Sequence, residues 1–189
     1  MKHHFSFAIL AAMVMSLTGL VAQPLKPYQQ PNVLNPLLPG YFADPSIKKI
    51  ADTYYIYATT DGNGWGAGPS QVWSSRDLKN WPIQPMNWPN THWYWAPDMT
   101  QGYDGRYYLY YSQPVEIFGA VADSPTGPWE PLVAEGKSMI PNYMIPGVIT
   151  LDGQTFRDDD GRIYLFWGTW GIYPDHGCGV GILNRDMKT

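Results

Sequence analysis

Apolar and polar positions alternate along this chain in short bursts, and the bursts recur. "ADPSIKKIADTYYIYATT", "APDMTQGYDGRYYLYYSQ" and "LDGQTFRDDDGRIYLFWGT" each carry an early aspartate, a short strand and a polar turn, then a strand rich in Tyr, Ile, Leu and Phe. The turns fall at Ala51-Asp52, Asp104-Gly105 and Asp160-Gly161. Asp-Gly between two β-prone runs is a strong hairpin signal. A third strand follows in each unit, in "VWSSRDLKNW", "AVADSPTGPW" and "GVGILNRDMKT", with Trp81 and Trp129 closing the first two. With Tyr55, Tyr108 and Tyr164 taken as equivalent, the units repeat at spacings of 53 and 56 residues. Helical periodicity is absent after the N-terminal segment.

A repeat of about fifty residues built from several strands fits a β-propeller blade. The sequence therefore predicts an all-β fold, with blades at about 40–90, 91–145 and 146–189. Three blades cannot close a ring, since propellers have about four to eight. "NRDMKT" at the C-terminus aligns with "SRDLKN", so the expectation is three blades of a larger domain, cut one residue before the partner of Trp81. A small β-sandwich is the alternative.

Composition changes the picture in three ways. Nine Trp and fourteen Tyr suit β-strands and also flat surfaces on which ligands stack. A net charge of −4 with no basic run after residue 2 argues against nucleic acid or anionic lipid as partner. A single cysteine, Cys178, can form no internal disulfide and is expected to be buried and inert. The N-terminal "FAILAAMVMSLTGLVA" after Lys2 reads as the core of a cleaved signal peptide, residues 1–22, with an uncleaved anchor as runner-up. An extended leader spans 23–39. The mature chain is thus expected to be exported, with no stable membrane insertion after cleavage.

Asp44, Asp98 and Asp152 lie 11, 10 and 12 residues before their reference tyrosines. In a propeller the innermost strands line a central channel, so carboxylates at equivalent places on those strands converge. An aspartate beside proline or at a strand start is often turn chemistry. Three in register, in an aromatic-rich chain, point instead to a site. Glycosidic hydrolysis needs one ionised carboxylate to activate water and one protonated carboxyl to serve the leaving oxygen. Neighbouring like charges hold such pKa values apart.

"FADPSI" with "DTYYIYAT", "VWSSRDLKNW", "YWAPDM" with "GRYYLYYS", "VADSPTGPWEP" and "LDGQTFRDDDGRIYLFWG" together resemble glycoside hydrolase family 43. That family comprises five-bladed β-propeller arabinofuranosidases, xylosidases and arabinanases. The resemblance runs from about Gly40 to the C-terminus. It implies an inverting mechanism in which Asp44 is the general base and Asp152 raises the pKa of the acid and orients it. The general acid it implies is a glutamate of a fourth blade beyond Thr189, so the 189-residue chain by itself is expected to be inactive. Glu116, Glu130 and Glu135 occupy no matching position. Trp95 is expected to wall the sugar subsite and Asp98 to bind or scaffold there, with Trp93 and Tyr94 on the rim. The loop 62–70, around Trp65, is expected to contact substrate.

The implied substrate is an arabinose- or xylose-containing oligo- or polysaccharide. Arabinofuranosidase is the preferred activity and β-xylosidase the next. No cofactor is called for, although the resemblance admits a calcium in the channel of the intact domain. His92 and His176 have no metal-ligand partners at useful spacing, and "RDDDG" reads as a hairpin turn. A non-catalytic carbohydrate-binding propeller remains the alternative function. A retaining fructosidase is disfavoured because "FADPS" lacks the corresponding nucleophile motif.

Overall fold

A computed structural model of the chain describes residues 36–38, 40–60, 70–87, 93–168 and 177–189. The predicted signal segment, most of the leader, Trp65 with the loop around it up to residue 69, His92 and His176 lie outside the described residues. All the strands fall within Leu38–Thr189. No described helix is long and apolar enough to cross a membrane.

Among the described residues eleven strands form three antiparallel sheets. The first contains β1 (Phe42–Ile50), β2 (Thr53–Thr60), β3 (Gln71–Ser75) and β4 (Ile83–Pro85), hydrogen-bonded in that order. The second repeats the order with β5 (Trp95–Gln101), β6 (Tyr107–Ser112), β7 (Ile117–Ala122) and β8 (Glu130–Pro131). The third has β9 (Leu151–Arg157), β10 (Ile163–Gly168) and β11 (Gly179–Ile182). These are consecutive blades of a β-propeller. Their first strands pack side by side in the order β1, β5, β9.

The repeat seen in the sequence holds residue by residue. Tyr55, Tyr108 and Tyr164 pair with Lys48, Thr100 and Phe156, the same register place in each sheet. The Asp104-Gly105 and Asp160-Gly161 turns sit in matching loops, where each aspartate accepts the backbone N–H of the following arginine at 3.0 and 2.9 Å. Gly105 and Gly161 adopt φ of 84° and 85°, a region that favours glycine. The equivalence of "SRDLKN" and "NRDMKT" is visible in Leu78 and Met187, which share a left-handed backbone (φ 58° and 62°).

Tyr-rich strands form here because alternate side chains of a strand face opposite sides, and each blade must bury both faces against a neighbour. One core cluster joins the first two sheets, through Tyr57, Val72, Tyr94, Met99, Leu109, Tyr111 and Trp129. Another joins the second and third, through Tyr110, Ile117, Ile140, Ile163, Leu165, Trp167 and Met187. Truncating one such residue, Leu165→Ala for example, removes about 2–5 kcal/mol. The buried tyrosines also carry hydrogen bonds between blades. Tyr57 Oη donates to the Pro125 carbonyl at 2.5 Å, and Tyr110 Oη, at the equivalent place, donates to the Met187 carbonyl at 2.8 Å. Burial pushes the pKa of both phenols well up, so they remain donors. The third sheet has Phe166 at that place, partly exposed on a face it shares with Phe156, Val180 and Ile182.

Candidate active site

Each inner strand is interrupted at one shared register. The pairing of β1 with β2 skips Asp44 and Pro45, that of β5 with β6 skips Ala96 and Pro97, and that of β9 with β10 skips Asp152 and Gly153. In all three bulges the first residue has positive φ: 47° at Asp44, 41° at Ala96 and 58° at Asp152. Bulges of this kind usually place glycine there. An L-residue held in this region costs about 1–3 kcal/mol and persists where its surroundings over-determine it. Aspartate tolerates the left-handed region better than most residues. The bulge turns its side chain away from the regular in-and-out alternation of the strand.

This register corrects the sequence reading of three aspartates in a ring. Asp44 and Asp152 are equivalent, but their counterpart on β5 is Ala96. Asp98 stands two residues further on, level with Ser46 and Gln154. The sequence carried the signal in its prolines. Pro45 and Pro97 are both second bulge residues, so aligning "ADPS" with "APDM" on proline puts Asp44 opposite Ala96. The distances to the reference tyrosines then become 11, 12 and 12 residues.

Asp44 and Asp152 are near enough to feel each other. Asp152 is exposed by area, yet the protein crowded around its carboxyl, and secondarily the charge of Asp44, push its pKa up to about 6. Between their strands runs β5, which carries only the methyl group of Ala96 at the corresponding position. Each aspartate is also tied to the adjoining strands. Thr59 Oγ1 donates to Asp44 Oδ2 at 3.1 Å and accepts the N–H of Ala96 at 2.8 Å. The backbone N–H of Asp152 donates to Ser112 Oγ at 2.7 Å. Thr59 and Ser112 occupy one register place, opposite the residue that precedes each bulge, and Gly168 occupies it in the third sheet. Neither hydroxyl was among the site residues expected from the sequence. Their signal was a polar residue ending an otherwise apolar strand, in "YYIYAT" and "YYLYYS".

Asp98 is 1% exposed and joins three blades. Its carboxylate accepts from Ser46 Oγ and from Lys48 Nζ (2.8 Å) on β1, and from the backbone N–H (2.7 Å) and Oγ1 of Thr155 on β9. Both oxygens are engaged, so the expected contact with sugar gives way to the scaffolding half of that expectation. Trp95, directly before the β5 bulge, is half-buried and packs edge-to-face with Trp93, their ring centroids 5.1 Å apart.

Two further expectations change. Tyr94 is a fully buried core residue whose hydroxyl points at Met86 Sδ (3.6 Å), not a rim residue. Cys178 is exposed rather than buried, because it precedes β11 instead of lying within it. Glu116 precedes β7, Glu130 lies on the outer strand β8 and Glu135 follows it, so none shares the register of the bulges. Among the described residues no cluster of three or more His, Cys, Asp or Glu is placed to hold a metal ion.

Two aspartates on equivalent strained bulges of the inner strands β1 and β9, with a half-buried tryptophan directly before the matching bulge of β5, make up the candidate site. The family model of glycosyl hydrolases family 43 matches residues 33–188, and the chain belongs to that family. It is 30% identical over 157 residues to a beta-D-galactofuranosidase of Aspergillus niger, covering 72% of this chain and 45% of the relative. It is 31% identical over 162 residues to a xylosidase/arabinosidase of Humicola insolens, covering 74% of this chain and 27% of that protein. The fold is similar to that of a crystallised family 43 arabinoxylan arabinofuranohydrolase from Bacillus subtilis in complex with cellotetraose. There the TM-score is 0.65 at 27% identity, covering 82% of this chain and 40% of the other. The chain spans less than half the length of each of these proteins.

Proposed function

We propose that the protein is an exported inverting glycoside hydrolase that removes arabinofuranosyl or, next in preference, xylosyl groups from plant polysaccharide. The observation that carries this reading is the pair Asp44 and Asp152, set on equivalent strained bulges of β1 and β9 and coupled through their charges. Asp44 is the general base that takes a proton from the attacking water. Asp152 places negative charge beside the reacting centre, which raises the pKa of the acid and orients it. Trp95 offers an indole face to the apolar side of the sugar ring. The leaving oxygen takes its proton from a third carboxyl outside the described residues. Inversion requires about 6.5–9.5 Å between that acid and Asp44, the space of one water. The apolar stretch before Gln23 supports export.

The test is a panel of aryl α-L-arabinofuranosides and aryl β-xylosides on the full-length protein that supplies the acid, with NMR of the first-released anomer. The expected result is an inverted product, and loss of turnover in Asp44→Ala with sugar binding retained. A retained anomer, or an Asp44→Ala variant with most of its turnover, would overturn the assignment.

A further inference from the structure

We propose that Thr59 is the positioning residue of the general base, an inference that rests on the role of Asp44 given above. Thr59 is 2% exposed and lies on β2 just past the bulge, paired with Ala43, the residue before Asp44. A hydroxyl can both donate and accept, so its proton direction is set by its partners. Here both partners are unambiguous. The Ala96 N–H can only donate, and it occupies the Thr59 oxygen at 2.8 Å. An ionised Asp44 can only accept, so the hydroxyl proton is directed at Oδ2, 3.1 Å away. The relay runs one way, from the backbone of the second blade through Thr59 to the carboxylate of the first.

The consequence is rotational. Among the described residues Thr59 is the only side chain that hydrogen-bonds the Asp44 carboxylate. It fixes one oxygen and leaves Oδ1 of this exposed residue available to the attacking water. The Ala96 N–H belongs to the neighbouring bulge, so the orientation of the base is referenced to β5, the strand that also carries Trp95. Ser112 shows what the same register place does without the second bond. It clamps the Asp152 N–H at 2.7 Å, and among the described residues its hydroxyl bonds no carboxylate. Joining blades is thus the common role of this place, and aiming a carboxylate is the addition peculiar to Thr59.

The experiment compares Thr59→Val, Thr59→Ser and Thr59→Cys with Asp44→Asn in the full-length protein that supplies the acid, on aryl glycosides with both good and poor leaving groups. Valine keeps the shape and removes both bonds, and a misaimed catalytic group can cost about 100-fold in rate. The expected result is a kcat lowered about 10- to 100-fold in Thr59→Val, equally for both leaving groups, with KM within about twofold. Thr59→Ser should restore kcat to near wild type, and Thr59→Cys, a weak donor and acceptor, should fall between. Unchanged kcat in Thr59→Val, or a raised KM with unchanged kcat, would overturn the proposal. Should valine prevent folding, wild-type kcat in Thr59→Cys would overturn it equally. An active Asp44→Asn would instead sink the base assignment beneath it. An inactive Asp44→Asn beside a fully active Thr59→Val would sink this inference alone.

Discussion

Removing the Asp98 carboxylate should loosen all three blades at once, and the size of the effect follows from its partners. Lys48 Nζ and the Thr155 N–H can only donate, whereas the hydroxyls of Ser46 and Thr155 can turn and accept. Asp98→Ala strands a buried N–H and an ammonium, and breaking a buried pair in this way costs about 3–5 kcal/mol. The Lys48 side chain is 23% exposed and can lift its charge toward water, which places the expected loss near the lower end, about 3 kcal/mol. Asp98→Asn keeps the shape and can still serve the Thr155 N–H through its oxygen, while its amide donates to a reoriented hydroxyl. Only the charge partner of Lys48 is lost, so about 1.5–2 kcal/mol is expected. Adding Lys48→Met to Asp98→Asn should recover about 1 kcal/mol, because the unpaired charge is gone. Urea unfolding followed by tryptophan fluorescence measures each value, and at this size about 3 kcal/mol corresponds to a Tm drop of about 6–12 °C. An Asp98→Ala variant within 1 kcal/mol of wild type, or an asparagine variant worse than the alanine one, would refute the reasoning.

Three other outcomes are expected. Asp152 has a folded pKa raised from 3.8 to about 6, so the folded protein binds more protons than the unfolded chain in that window and loses stability as pH rises through it. Asp152→Asn should therefore be the more stable protein at pH 7, by about 1 kcal/mol after discounting for solvent, with the advantage gone below about pH 4; Tm measured against pH checks the sign. Ala51 is the first central residue of the two-residue β1–β2 turn and has φ 49°, so Ala51→Gly should raise stability by about 0.5–1 kcal/mol in the same urea assay. A Cβ on Gly179 would lie 2.2 Å from the Trp167 ring, so Gly179→Ala should lower Tm, consistent with about 2–3 kcal/mol of overpacking, and shift the tryptophan emission.

Much of this was legible in the sequence because strand and turn signals are local. Tyr55, Tyr108 and Tyr164 could be matched by eye, since a hairpin loop fixes the register beside it. The bulges were not legible in the same way. A bulge inserts one residue on one strand only, so it shifts apparent spacing without changing composition, and Asp98 fell into the gap this leaves. Cys178 and Tyr94 were misjudged for a related reason: whether a residue beside a strand is covered depends on the neighbouring blade, which local pattern does not encode. Thr59 escaped notice because its two bonds reach residues 15 and 37 positions away.

The left-handed backbone at Ala96 has one more implication. No carboxylate stands there, yet the distortion is kept, at the same place and with the same sign as at Asp44 and Asp152. The kink therefore belongs to the architecture of the module, and the acidic group is a tenant. Each of the three described modules presents the same ready-made socket, and what such a place does depends on which side chain is plugged into it. Exchanging one residue can rewrite the chemistry of such a ring without disturbing how it is built.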